Sequence, residues 1–354
     1  MRRTLLALGL AVAADAAAQT PAPVPNNAQE QQARQVTQPG NLAPVMREIK
    51  SGDSHYTSIQ GRETGVLIQP PARFPGQSAM ATAGEAWRNF RNGPVTFIGG
   101  WMVVLVLAAI VAFYLWKGPV KLHEAPTGRL MRRFSPLEQV VHWSTAISFS
   151  VLGISGLVML FGKHILLPIF GYTLFAWLTA LCKNLHNFIA PLFIVSVLAV
   201  IVIFIRDNFP KSYDWLWFRR AWAWFARSEH IPTGRFNAGE KAWFWGGVIL
   251  LSALVAWSGL ILLFPNFDQT RAVMQDAWSV HAIAALLYIT ISLGHIYMGT
   301  IGVEGSYRAM REGVVDEAWA KEHHEIWYNE VKSGKRAAAG GAVPAGAPHM
   351  KEGS

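Results

Sequence analysis

Five stretches of this sequence stay apolar for about twenty residues or more, and that pattern constrains the fold more than any other feature. They cover roughly residues 95–116, 140–161, 185–205, 242–264 and 277–301. At ~1.5 Å rise per residue, each can cross a hydrocarbon layer ~30 Å thick as a helix. A helix satisfies its backbone polar groups within its own segment, so lipid tolerates it. The expected fold class is all-α, an integral membrane helical bundle. Composition agrees: 52% of the 354 residues are hydrophobic and only 15% are charged, a membrane protein's balance. The net charge of +9 does not point to nucleic acid, because the basic residues cluster beside the apolar runs.

Topology follows from that clustering. The connection after the first run carries Lys117, Lys121, Arg129, Arg132 and Arg133; the loop after the third and the tail after the fifth are also rich in Lys and Arg. The other two connections hold Lys163 and Lys183 in one and Arg271 in the other. The basic side is expected to be cytoplasmic in a bacterial inner membrane. Residues 1–18 have a basic start, an apolar stretch and small residues at Ala16 and Ala18. They read as a signal peptide, either cleaved or kept as an anchor. Residues 19–93 read as an exported, largely irregular arm, either docking on a partner or serving as a spacer. The domain plan is then 94–117 for one transmembrane helix, 129–305 for a four-helix core and 306–354 for a cytoplasmic tail. Trp215, Trp217, Trp222 and Trp224 alternate with arginines in residues 213–232, a pattern suited to a short amphipathic helix in the membrane interface.

Histidines are costly in lipid. His142 falls near the cytoplasmic start of the second run and His186 near the periplasmic start of the third. His281 and His295 sit toward opposite ends of the fifth. The last two are fourteen residues apart, about 21 Å along a helix and just under four turns, so they share a face. Depth sorts the four into two pairs, His142 with His295 and His186 with His281. Two stacked b-type haems, each held by two axial imidazoles, require that arrangement. Gly153, Gly156, Ala282, Ala284 and Gly294 are small residues beside the ligands that let a macrocycle approach. A zinc site would gather three or four donors at one point. The lone cysteine, Cys182, excludes a disulfide framework, Fe–S ligation and covalent haem attachment. His323 and His324 in the tail are expected to face solvent or a partner. His164 is expected at the membrane interface, and His123 and His230 in cytoplasmic connections.

The motifs VVHW (140–143), NLHNFIAPLF (184–193), RFNAGEKAWFW (235–245), SVHAIAALLYITISLGHIYMGT (279–300) and AWAKEHHEIWY (318–328) together resemble the gamma subunit of respiratory formate dehydrogenase, a membrane di-haem cytochrome b. The match covers roughly residues 129–331. The resemblance implies a four-helix di-haem core, here with one extra N-terminal transmembrane helix. It also implies an iron–sulfur beta subunit and a molybdenum- or tungsten-pterin alpha subunit as periplasmic partners, the latter carrying out formate oxidation. Electrons are then expected to pass through the two haems to a quinone on the cytoplasmic side. The quinone site carries over to Asn237, Gly239 and His295. Asn237 taken by itself reads as a plain helix N-cap. Glu240 departs from the family's glutamine in NAGQK. The histidine pattern is shared with cytochrome b subunits of nickel–iron hydrogenases, the first alternative, but NAG-x-K and HHxxWY argue against it. A haem-free anchor or a transporter is the alternative from another class.

Overall fold

The computed structural model describes residues 83–227 and 230–337. The chain divides into two units, Met1–Ala86 and Trp87–Ser354, and the second holds the helical bundle. The signal peptide expected at 1–18, the arm to residue 82, the chain's Gly/Ala-rich end, His55 and His349 lie outside the described residues.

Five helices are long and apolar enough to cross a membrane: α1 (Ala86–Lys117), α2 (Pro136–Ile165), α3 (Leu167–Asn208), α5 (Ala238–Leu263) and α6 (Arg271–Gly302). Between α3 and α5 lies α4 (Ser212–Arg227). Helices α2, α5 and α6 begin before their apolar stretches, each at a polar cap. Ser135 opens α2: its hydroxyl accepts from the Glu138 N–H at 3.3 Å, and the Glu138 carboxylate accepts from the Ser135 N–H at 2.7 Å. Pro136 follows at the first helical position, where its missing N–H costs nothing. Thr270 caps α6 by accepting from the Val273 N–H at 3.2 Å. Helix α3 is broken once, at Gly171, whose φ of 70° is open to a residue without a Cβ. Helix α5 runs through a π-helical stretch at Phe244–Leu251 without losing continuity.

Helix α1 runs beside α6. Trp87 meets Trp278 edge-on at 5.4 Å, and Phe113 and Tyr114 meet Tyr297 at 6.3 and 6.4 Å. In α4, Trp217 is buried while Trp215 and Trp222 are exposed. A buried ion pair, Lys241 to Asp214 at 2.7 Å, ties it to α5.

The tail folds back as a cap. Helices α7 (Ser306–Glu312), α8 (Glu317–His323) and α9 (Glu325–Lys332) join a two-stranded antiparallel pair, β1 (Leu130–Arg132) with β2 (Val314–Asp316), in which Met131 faces Val315. Their core includes Phe134, Phe204, Phe244, Trp319 and Trp327, so the cap packs on the ends of the spanning helices. Beneath it, Arg235 pairs with Glu138 at 2.8 Å and Asp207 at 2.7 Å, and Arg336 pairs with Asp207 at 2.6 Å.

This cap corrects one expectation. His323 and His324 do not face solvent; they are 9% and 2% exposed. Trp319 and Trp327 pull the two short helices onto the bundle, and the turn between them is buried with its histidines. His324 is held by its Nδ1–H, which donates to the Gly234 carbonyl at 2.8 Å. The Thr233 hydroxyl donates to the His323 carbonyl at 2.7 Å.

Candidate functional site: two imidazole pairs

Helices α2, α3 and α6 bring the four spanning histidines to two levels. At one level the rings of His186 and His281 stand 6.1 Å apart, centroid to centroid, at 74°. At the other, His142 and His295 stand 6.4 Å apart at 57°. Within neither pair do the rings hydrogen-bond each other.

At the first level the outer nitrogens are occupied. The hydroxyl of Ser155 donates to the Val151 carbonyl at 2.7 Å. It therefore accepts from the Nδ1–H of His186, 2.9 Å away. The Nδ1–H of His281 donates to the Val255 carbonyl at 3.1 Å and lies 3.3 Å from the Ser258 hydroxyl. Both imidazoles are thus fixed as the tautomer with Nε2 unprotonated, the form that ligates a metal. Two glycines make room for the rings. A Cβ at Gly156 would stand 3.5 Å from His186 Cε1, and one at Gly259 only 3.1 Å from His281 Cε1.

The second level opens on a cavity of about 450 Å³ lined by His142, His295, Trp243, Asn237, Glu240 and Arg133 among others. His295 stacks on Trp243 at 5.1 Å and 18° while lining the cavity. His142 Nδ1 is buried without a hydrogen-bond partner among the described residues. On the cavity's tail side, Arg133 is 4% exposed. It lies over the rings of Phe134 and Trp319 and bonds Glu240 at 3.2 Å.

The residues proposed for quinone separate here. Asn237 is the N-cap of α5: its side-chain oxygen accepts from the Glu240 N–H at 2.9 Å, and Glu240 accepts from the Asn237 N–H at 2.8 Å. The cap uses the amide oxygen and leaves the amide NH₂ available. Gly239 is not among the cavity-lining residues; a Cβ there would come within 2.8 Å of Trp217, so its smallness lets α4 pack on α5. Glu240 is a structural partner of both Asn237 and Arg133. Sequence reasoning missed Ser155, Ser258, Gly259 and Trp243. For Gly259 the signal was present, a Ser-Gly pair in an apolar helix. His164 is exposed. His123 and His230 pair with Glu322 at 2.8 Å and Glu325 at 2.9 Å.

Each pair has the spacing of two imidazoles sharing one iron. Iron–nitrogen bonds of about 2 Å, with each nitrogen about 1 Å from its ring centre, put the centroids about 6 Å apart. An apolar helical bundle with such paired histidines is a membrane cytochrome b. A family model described as prokaryotic cytochrome b561 matches residues 133–313. The cytochrome b556(fdo) subunit of formate dehydrogenase from Escherichia coli K12 is 32% identical over 203 residues, 56% of this chain and 92% of that protein. The nitrate-inducible cytochrome b556(Fdn) subunit from the same strain is 28% identical over 214 residues, 58% of this chain and 93% of its own length. A cytochrome b556 subunit from Haemophilus influenzae is 27% identical over 212 residues, 57% of this chain and 83% of that protein. The chain belongs to the prokaryotic cytochrome b561 family, among the gamma, or cytochrome b, subunits of formate dehydrogenase. Helix α1 precedes the residues that the family model matches.

Proposed function

We propose that this chain carries electrons from a periplasmic iron–sulfur subunit, through two bis-histidine b haems, to a quinone on the cytoplasmic side. Formate oxidation belongs to the molybdenum- or tungsten-pterin partner. The observation that carries this reading is the pair of ring separations near 6 Å at two levels of one bundle. When bound, haem supplies one-electron redox chemistry. The chain's own residues do the rest. His186 with His281, and His142 with His295, would hold the irons. Ser155 and the Val255 carbonyl orient two of those rings through their Nδ1–H groups. The cavity beside His295 offers the Asn237 amide NH₂, a donor suited to a quinone carbonyl oxygen. Lys and Arg on the tail side support a cytoplasmic tail.

The test is the absorption spectrum of the purified complex with quinone reduction measured alongside it. Two bis-imidazole b haems per chain and formate-dependent quinol formation are expected. A single haem, or none, overturns the reading. So does a complex with both haems that fails to reduce any quinone.

A further inference from the structure

The two histidines of the tail's HHEIWY motif line the same cavity as His142, His295 and Asn237. We propose that His323 and His324 form the proton relay from the tail-side surface into that cavity, supplying the protons that quinone takes up on reduction. The inference rests on the quinone-reducing function proposed for the chain.

The geometry sets the order of the relay. At the surface stand two hydrogen-bonded pairs, His123 with Glu322 and His230 with Glu325, in which the histidine side chains are 59% and 43% exposed. His323 follows, with Glu322, His230 and His123 as electrostatic neighbours. His324 is innermost, beside Arg133 and near Arg235. Because its Nδ1–H is committed to the Gly234 carbonyl, Nε2 is the nitrogen free to accept a proton.

The electrostatics suit passage rather than storage. Burial, reinforced by Arg133 and His323, holds His324 well below the ordinary histidine range. Burial also lowers His323 to about 4, while Glu322 opposes that shift. Both imidazoles are therefore neutral at rest and hold a proton only in passing.

The step balances simply. Quinone leaves as quinol after gaining two electrons and two protons. The electrons arrive from the partner subunits through this chain. For each proton, an N–H bond of the His324 imidazolium breaks and an O–H bond forms at a quinone oxygen, directly or through cavity water. His324 returns neutral and is recharged from His323 and the surface.

The experiment uses the assembled complex with a His324→Asn substitution. The Asn amide can still donate to Gly234 but cannot carry a proton. Haem content, haem midpoint potentials and the rate at which formate reduces the haems are expected to match the unsubstituted complex. Quinol formation is expected to slow about a hundredfold, a usual share for one proton-transfer group. It should slow further as pH rises, with a larger solvent isotope effect and partial rescue by added imidazole. A second readout needs no turnover: infrared difference spectra of electrochemically reduced quinone in the complex should contain an imidazole band that shifts in D₂O and disappears in the variant. Unchanged quinol formation and pH profile overturn the relay. So does a loss of haem or a shifted potential, which would make His324 a haem-side structural residue. If the Asn variant does not assemble, the infrared band of the unsubstituted complex decides, and its absence overturns the proposal. An unsubstituted complex that binds haem but reduces no quinone sinks the wider functional reading instead.

Discussion

Single residues divide the labour at the paired histidines, and they predict separable losses. His186→Ala and His281→Ala should each remove the same haem and leave the other, while His142→Ala and His295→Ala remove the second; reduced-minus-oxidised spectra of the four variants check this. Two glycines give a finer test. Gly259→Val crowds His281, because even a Cβ at that position stands 3.1 Å from the ring. It should lower occupancy of the haem held by His186 and His281 and spare the other. Gly156→Ala, with 3.5 Å to His186, is in ordinary contact distance and should be tolerated. The histidines were legible in the sequence because an imidazole in an apolar run stands out against its surroundings. Ser155, Ser258 and Trp243 were not, since serine and tryptophan are ordinary membrane residues until a neighbouring helix brings a ring against them. Asn237 was legible as an N-cap, but only the structure shows that capping takes the amide oxygen and leaves the NH₂.

At the scale of elements, α6 acts as a ruler. Its two histidines are in phase because the stretch between them is unbroken helix. Inserting one alanine after Leu287 turns everything beyond it by about 100° relative to His281. One haem should be lost and the other kept, read by haem content per chain; retention of both would show that the helix absorbs the extra residue as a bulge. Midway between the two histidines, seven residues from each, lies Tyr288. It is packed against Phe149 at 4.7 Å and Trp243 at 5.6 Å, so the space between the levels is filled by aromatic rings. The cap at Ser135 is a local element with a local cost: Ser135→Ala should destabilise the start of α2 by about 1 kcal/mol, visible as faster hydrogen exchange near Glu138. Five spans could be read from hydropathy because lipid leaves so few options. Their true ends could not, because caps and π-helical stretches depend on hydrogen bonds that no hydropathy pattern encodes.

At the scale of the molecule, pH should act on the cap before the membrane bundle. His323 and His324 are held neutral by burial, with folded values below the ordinary histidine value of 6.5. An unfolded tail therefore binds protons that the folded cap refuses. Cap stability is full above about 6.5 and falls as pH drops toward 4. Glu317 has the next effect. Lys332, Tyr328 and Arg129 lower it to about 2 from the ordinary glutamate value of 4.5, so its contribution is present above 4.5 and is lost as pH falls toward 2. Limited proteolysis of the tail across pH 8 to 4 should show cleavage near residues 306–332 rising before haem is released. The cap was the least legible part of the fold. Trp319, His323 and Trp327 recur every four residues, a helical stripe in the sequence, but the break at His324 divides it into two helices too short to announce themselves. Their burial depends on contacts with Phe134 and Phe204, far away in the chain. Position in the chain also gives this cap a place in time. The tail helices that wall the cavity are among the last described residues to be synthesised, after all four histidines are in the chain. Until they dock, the chamber beside His142 and His295 lacks its tail-side wall, which Trp319 and the buried histidines supply. The wall that the cap supplies is therefore laid onto a bundle in which all four histidines already stand.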